Sequence, residues 1–428
     1  MESPLSKSPA MAITSAAFAQ TPRRLVAVVC AAQVLVQIGA FFWPALLPGM
    51  MPLWQLSNSE AGWITASFYG AYMLCVPVLV TLTDRVDPKR VYLFGVAATV
   101  LGHLMFALFA DGFWSALAMR ALTGMGWAGT YMTGLKLLAD RVDAKMMSRA
   151  TAGHAASIGI SGALSFATGD LIAAAAGWRA AFLAAAATAA VAWLCVALIV
   201  PAQGTRAAPA KDGQGLYDFR PVLRNRSAMA YAIGYCVHTL EMSALRGWGV
   251  AFLAYVATST NTSAGAVLSP AIVATGLGLI GTAASVAGNE AAIRFGRKRL
   301  IVTAMLASIL IGGTLGFLGS TSYAAAAVLM TLYGIVIWLD SSSLTAGTAG
   351  TAEPSRRGAT LAVHSMLGYA GGFVGPLLIG WTLDLSGGMS QFGWGMSFFS
   401  VAVLMLLALI AFWLIRPREL EGDRSRGQ

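Results

Sequence analysis

Twelve long apolar stretches divide the chain and leave little of it to face water. Their limits are 25–48, 61–82, 91–110, 114–138, 149–175, 179–201, 228–256, 265–288, 300–319, 323–347, 358–383 and 393–415. About 20 apolar residues, at 1.5 Å rise each, cross the roughly 30 Å of a bilayer's hydrocarbon. Each stretch is therefore long enough to span a membrane as a helix. Charged residues make up 11 % of the 428 residues, against roughly 25 % in soluble domains, too few to coat a water-facing surface. Pro44, Pro77 and Pro376 fall inside spans, which membrane helices tolerate. No segment alternates with the period of two that marks a barrel strand. The pattern predicts an all-α membrane protein with twelve transmembrane helices.

Orientation follows from the basic residues. Suppose the amino terminus lies in the cytosol. All of the 28 Lys and Arg residues except Arg120, Lys136, Arg179 and Arg246 then fall in cytosolic segments, as the positive-inside bias requires. Both termini are predicted cytosolic, in a bacterial inner (cytoplasmic) membrane or one derived from it. The +10 net charge thus reflects topology and does not point to nucleic acid. Residues 1–22 read as a retained cytosolic tail: Ala17-Phe18-Ala19 imitates a signal-peptidase site, but the apolar core before it is short. Residues 202–227 mix Pro, Gly, Gln, Lys and Arg, as a linker between two halves does. The expected organisation is a bundle over 23–201, this linker, a second bundle over 228–415 and a tail over 416–428. Cys30, Cys75, Cys195 and Cys236 lie singly in apolar runs, so neither a disulfide framework nor a zinc site is indicated.

The halves are related. Asp84-Arg85-Val86-Asp87-Pro88-Lys89-Arg90, after the second span, matches Ile293-Arg294-Phe295-Gly296-Arg297-Lys298-Arg299, after the eighth, at an offset of 209 residues. The same offset aligns Gly159 with Gly368 and Gly162 with Gly371. Two six-helix bundles related by an ancient tandem duplication are implied, and parallel six-helix repeats build one large class of carriers. The two loops resemble the G-x-x-x-D-R-x-G-R-[KR] signature of the major facilitator superfamily. Val80 replaces the leading glycine of the first copy, Asp87 its second glycine, and Ile293 the aspartate of the second copy. Arg120-Ala-Leu-Thr-Gly124-Met-Gly126 is similar to the family's R-x-x-x-G-x-G motif in helix four. Gly371-Gly-Phe-Val-Gly375-Pro376 looks like its antiporter motif, displaced from helix five to helix eleven. The resemblance covers about 25–415 and implies two pseudo-symmetric bundles rocking about a central site. It says little about cargo. In that frame Asp84, Arg85 and Arg294 are candidate gate residues, since an Arg-rich turn can bond helix-end carbonyls and a neighbouring acid.

Ionisable groups at membrane depth cost roughly 2.5–3.5 kcal/mol on insertion scales, so each needs a partner or a task. Arg120 lies about 9 Å from the outer end of helix four, where it can bind an anionic cargo, pair with a carboxylate or snorkel. Glu241 sits near the middle of helix seven, one turn from His238 on the same face. A carboxyl group there can carry a proton, and the imidazole can share it. Arg246, about 140° around that helix, reads as an outward snorkelling residue. Lys136 and Asp340, on equivalent helices of the two halves, predict a bridge that latches the cytosolic gate, unless Lys136 snorkels. Gln33 and Gln37 share one face of helix one and are cavity candidates. Ser157, Ser161 and Ser165 read as packing residues, and Asp170 and Asp384 as helix-end residues.

The chain carries no G-x-x-x-x-G-K-[ST] loop and no H-E-x-x-H, and its four histidines are dispersed. No enzyme is indicated, and no cofactor or resident metal. The leading reading is a proton-coupled secondary transporter of a small organic or inorganic anion, acting as a monomer. The alternatives are a carrier of a cation such as iron or manganese, bound through Glu241, His238 and Asp340, and a receptor or assembly factor on a transporter fold.

Overall fold

The computed structural model describes residues 22–203, 219–262, 268–420 and 423. The tail before Pro22 and the middle of the predicted linker lie outside the described residues. Those described form sixteen α-helices and one 3-10 turn, with no strand among them. The first half comprises α1 (Pro22–Gln37), α2 (Phe42–Leu53), α3 (Asn58–Leu82), α4 (Pro88–Phe109), α5 (Phe113–Ala128), α6 (Tyr131–Ala139), α7 (Ala144–Ala176) and α8 (Trp178–Ile199). After the short α9 (Arg220–Arg224), the second half holds α10 (Arg226–Ser259), α11 (Pro270–Phe295), α12 (Arg297–Gly319), α13 (Tyr323–Leu339), α14 (Ser341–Thr351), α15 (Arg357–Leu385) and α16 (Gln391–Ile415). Three spans are broken in two: the first (α1/α2), the fourth (α5/α6) and the tenth (α13/α14). Twelve spans result. Ten of the helical runs are long and apolar enough by themselves to cross a membrane; α5/α6 and α10 complete the set and carry interior charge.

Several helices overrun their apolar stretches because polar caps fix their ends beyond the hydrocarbon. Ser57 and Glu60 form a reciprocal capping box on α3. The side chains of Asp143, Asn225, Ser269, Ser322 and Ser390 accept backbone N–H groups at the starts of α7, α10, α11, α13 and α16. The break in span one has a covalent cause. In a continuous helix the Ala40 carbonyl would accept from residue 44, but that residue is Pro44 and has no N–H. In span four Gly129 lies against the backbone of Gly95, an approach that leaves no room for a Cβ.

The halves meet along α3–α15, α7–α11 and α2–α10. Asp384 accepts from Asn58 and Ser59 at the loop face opposite the linker. Tyr72 meets Tyr369 near mid-depth. Ala167 donates to Thr275, and Gly159 packs on Thr282. Nearer the linker face, α6 packs on helices of the first half and α14 on helices of the second. The halves are thus joined on the far side and part towards the linker side.

Each half is clamped at the linker face. In the first, Asp87 caps α4 and accepts from the Lys89 and Gln203 backbone N–H groups at 2.9 and 2.8 Å and from Arg141 at 2.7 Å. Burial raises the Asp87 carboxyl, but these donors outweigh it and hold the group below its ordinary value. Lys89 Nζ donates to the Ala197 and Val200 carbonyls at the end of α8. In the second half the centre is a cation. Arg297 grips Asp423 at 2.9 and 3.1 Å and reaches Asn289 and the Ser343 carbonyl, each at 3.2 Å. Tyr231 donates to the Arg418 carbonyl at 2.8 Å, so the segment after α16 is strapped across its own half.

Candidate functional site

Pro44 leaves the Ala40 carbonyl without a helical donor, and Arg120 supplies one, its Nη1 lying 3.1 Å from that oxygen. The guanidinium also stands 4.6 Å from the centre of the Phe68 ring, a favourable cation–π contact. Arg120 is 2 % exposed, and no carboxylate lies at ion-pair distance from it among the described residues. Its Nε has no partner.

Arg246 does not snorkel. The structure places it half-buried between the halves, 5.1 Å from the Phe41 ring and 4.7 Å from the Trp338 ring. The reason is packing: α10 lies against α2 and α13, and the side chain of Arg246 is turned between them. Two aromatic faces from other helices take the cation instead. The gap beside it, between Phe166 of α7 and Leu277 of α11, is about 10 Å³, close to the minimum for one water. Phe41 and Phe68, each a ring that one of these cations meets, lie 6.2 and 4.7 Å from the Trp127 ring.

Glu241 points the other way, into its own bundle, where Ser308 of α12 and Tyr333 of α13 both donate to Oε1, the latter at 2.7 Å. His238 Nδ1 lies 3.0 Å from Asp340 Oδ1, an ion-pair distance without hydrogen-bond alignment. Tyr235 stacks on His364 at 4.0 Å, and His364 meets the hydroxyls of Thr345 and Thr348. The second half therefore holds a line of titratable groups across α10, the α13/α14 break and α15.

A model of the Major Facilitator Superfamily matches residues 29–376 and, in an overlapping second match, 232–428. The chain belongs to that superfamily. Among curated relatives, human protein spinster homolog 1 is 27 % identical over 238 residues, which is 54 % of this chain and 45 % of the relative. The chain thus matches about half the length of such relatives. An uncharacterized MFS-type transporter, YwoD of Bacillus subtilis, is 32 % identical over 97 residues, 22 % of this chain and 21 % of its own. A crystal structure of a bacterial homolog of the human lysosomal transporter Spinster, inward-facing and occupied, superposes with a TM-score of 0.77 at 15 % identity. That likeness covers 95 % of this chain and all of the other. The human organic anion transporter MFSD10 gives 0.64 at 18 % identity over 92 % of this chain and 100 % of its own. At such identities the likeness is one of fold. Family and fold are those of integral multi-pass transporters, which bind small molecules within the membrane.

Within this superfamily frame, several expected sites lie elsewhere. Gln33 and Gln37 are packed inside the first half: Gln33 accepts from Tyr92 at 3.1 Å, and Ser161 approaches Gln37 at 3.4 Å. Lys136 and Asp340 are not joined. Lys136 pairs with Asp84 at 3.2 Å within its own half, and Asp340 pairs with His238. In both cases a partner in the same half is nearer, because the halves part on this side. Arg85 and Arg294 are exposed. The buried charged members of the two signature loops are Asp87 and Arg297, which sequence reasoning did not single out as gate residues. Asp170 and Asp384 do lie near helix ends, but Asp384 also ties the halves together. Among the described residues no three or more His, Cys, Asp or Glu side chains converge as a metal-holding group.

Proposed function

We propose that this superfamily member is a proton-coupled secondary carrier of a small organic anion, with its termini and linker in the cytosol. Two guanidiniums at membrane depth, Arg120 over the Phe68 ring and Arg246 between the Phe41 and Trp338 rings, have no carboxylate at ion-pair distance among the described residues. That observation carries the reading. A guanidinium stays charged at any accessible pH, so burial cannot neutralise it. Carbonyl and ring contacts offset part of the desolvation, and an anion between the halves offsets more. Glu241 sits apart from both cations, held by hydroxyls that serve a carboxylate or a carboxylic acid equally, as a proton site must be.

Purified protein in proteoliposomes tests both parts. Arg246→Lys keeps the charge but loses the planar two-point grip. It should weaken anion binding by roughly 10-fold or more, the scale of one charge-assisted hydrogen bond at about 1.5–3 kcal/mol. Glu241→Gln should bind the anion yet fail to concentrate it under a pH gradient. Unchanged binding in Arg246→Lys and Arg246→Ala alike would remove the anion from the proposal. Normal accumulation by Glu241→Gln would remove Glu241 from coupling.

A further inference from the structure

Resting on that anion reading, we infer that the cargo is an aryl acid: an oxyanion group carried on a flat aromatic ring.

Tyr72 of α3 and Tyr369 of α15 stack across the two halves with ring centres 3.5 Å apart and planes 18° from parallel. Among the described residues this is the one stacked ring pair that crosses from half to half. It is also a poor one, because aromatic pairs prefer an offset or edge-on arrangement with centres 4.5–7 Å apart over a direct sandwich. Two plates pressed together in this way form a slot closed on itself. Parting them by the thickness of one ring replaces one sandwich by two contacts with a guest.

The surroundings suit such a guest. Trp127 stands edge-on to Tyr72 at 6.1 Å and to Tyr369 at 6.4 Å, forming a side wall. Its Nε1–H is buried and has no acceptor among the described residues, although buried donors are nearly always satisfied. An oxygen on the guest would satisfy it. Tyr69 lies three residues before Tyr72 on the same helix, one turn away and about 4.5 Å along the axis. Arg120 stands over the ring of Phe68, which meets the ring of its neighbour Tyr69 at 5.4 Å, and Arg246 stands over Phe41, whose ring lies 6.2 Å from Trp127. Acid and ring are therefore received at adjacent levels of one helix face, the spacing of a carboxylate attached directly or through a short arm to an aromatic ring. The slot lies where the halves begin to part towards the linker face, so a guest reaches it without crossing the sealed far side.

Three probes separate the ring from the acid: 2-naphthoate, its saturated analogue decahydro-2-naphthoate, and 2-naphthylmethanol. Binding is read on full-length protein in lipid nanodiscs by tryptophan fluorescence and by the shift in thermal unfolding. 2-Naphthoate should bind at least 10-fold more tightly than either of the others. Tyr369→Leu should erase its advantage over the saturated acid, while Tyr369→Phe, which keeps the plate, should retain it. Equal binding of the two acids would overturn the aryl inference and leave the anion reading standing. Equal binding of 2-naphthoate and 2-naphthylmethanol would overturn the anion reading and keep the slot. Failure of 2-naphthoate to bind at all, in protein that unfolds cooperatively, would overturn the inference outright.

Discussion

In the first half the opening span is two helices, α1 and α2, parted at residues 38–41; its counterpart α10 runs 34 residues without a break. The repeat offset that joins Arg85 to Arg294 also sets Gln37 opposite Arg246. Gln37 turns to Ser161 in its own bundle, whereas Arg246 lies against rings from both halves. The first half keeps its one buried interior cation on another span, as Arg120, and uses it to close a backbone gap. The second half loads His238, Glu241 and Arg246 onto a single unbroken helix. A helix with all its backbone bonds made can spend its side chains on titratable chemistry. A broken one must recruit a side chain to repair itself. The two halves share a frame and divide the work between them.

The sharpest way to break this comparison is to make the second half resemble the first. Arg246→Gln should lower anion binding at least 100-fold, since two charge-assisted bonds at about 1.5–3 kcal/mol each are lost. Equilibrium binding on the purified protein checks it, and retention of affinity would show the two positions to be interchangeable. Arg120→Ala should act on the fold more than on the cargo. It strands the Ala40 carbonyl, and a buried acceptor without a donor costs about 1–3 kcal/mol. Thermal unfolding in detergent should register that loss even without any anion present.

The linker-face clamps sharpen the comparison further. Asp87 is held below its ordinary carboxyl value of 3.8, so its stabilisation is complete above that value and is lost as pH falls through the lowered one. Asp87→Asn should therefore destabilise the protein by about 1–2 kcal/mol at neutral pH, with the difference from wild type closing only below about pH 4. Unfolding midpoints measured from pH 3 to pH 7 test the sign. The smallest effect belongs to Lys136→Met. Its pair with Asp84 is 30 % and 53 % exposed, and exposed pairs contribute about 0–1 kcal/mol.

Much of the architecture was legible because lipid imposes a simple rule. A run of 20 apolar residues needs no knowledge of its neighbours to be a span, and the Lys/Arg distribution needs none to suggest a side. The same residues did not disclose who faces whom. Arg246 read as a snorkelling residue because it lies towards the outer end of its span, about 140° around the helix from Glu241; Phe41 and Trp338, which receive it, come from other spans. Lys136 and Asp340 were matched by symmetry, but each has a closer partner in its own half. Arg120 was legible as a buried cation in need of a partner, and Pro44 only as a proline that a membrane span tolerates. What joined them was the crossing of spans one and four, which periodicity does not encode. The Tyr72–Tyr369 stack left no local signal at all, since an aromatic residue in a membrane helix is packing by default.

The strap over the second half bears on how the chain is made. Asp87 meets its last clamp partner at Gln203, so the first half can be complete while the second is still being synthesised. Arg297 must wait for Asp423, 126 residues later. At roughly 5–20 residues per second, that leaves a guanidinium without its carboxylate for about 6–25 s on the linker side of a nascent bundle. Over that interval the second half is the more exposed of the two to quality-control proteases and to slippage of α12 across the bilayer surface.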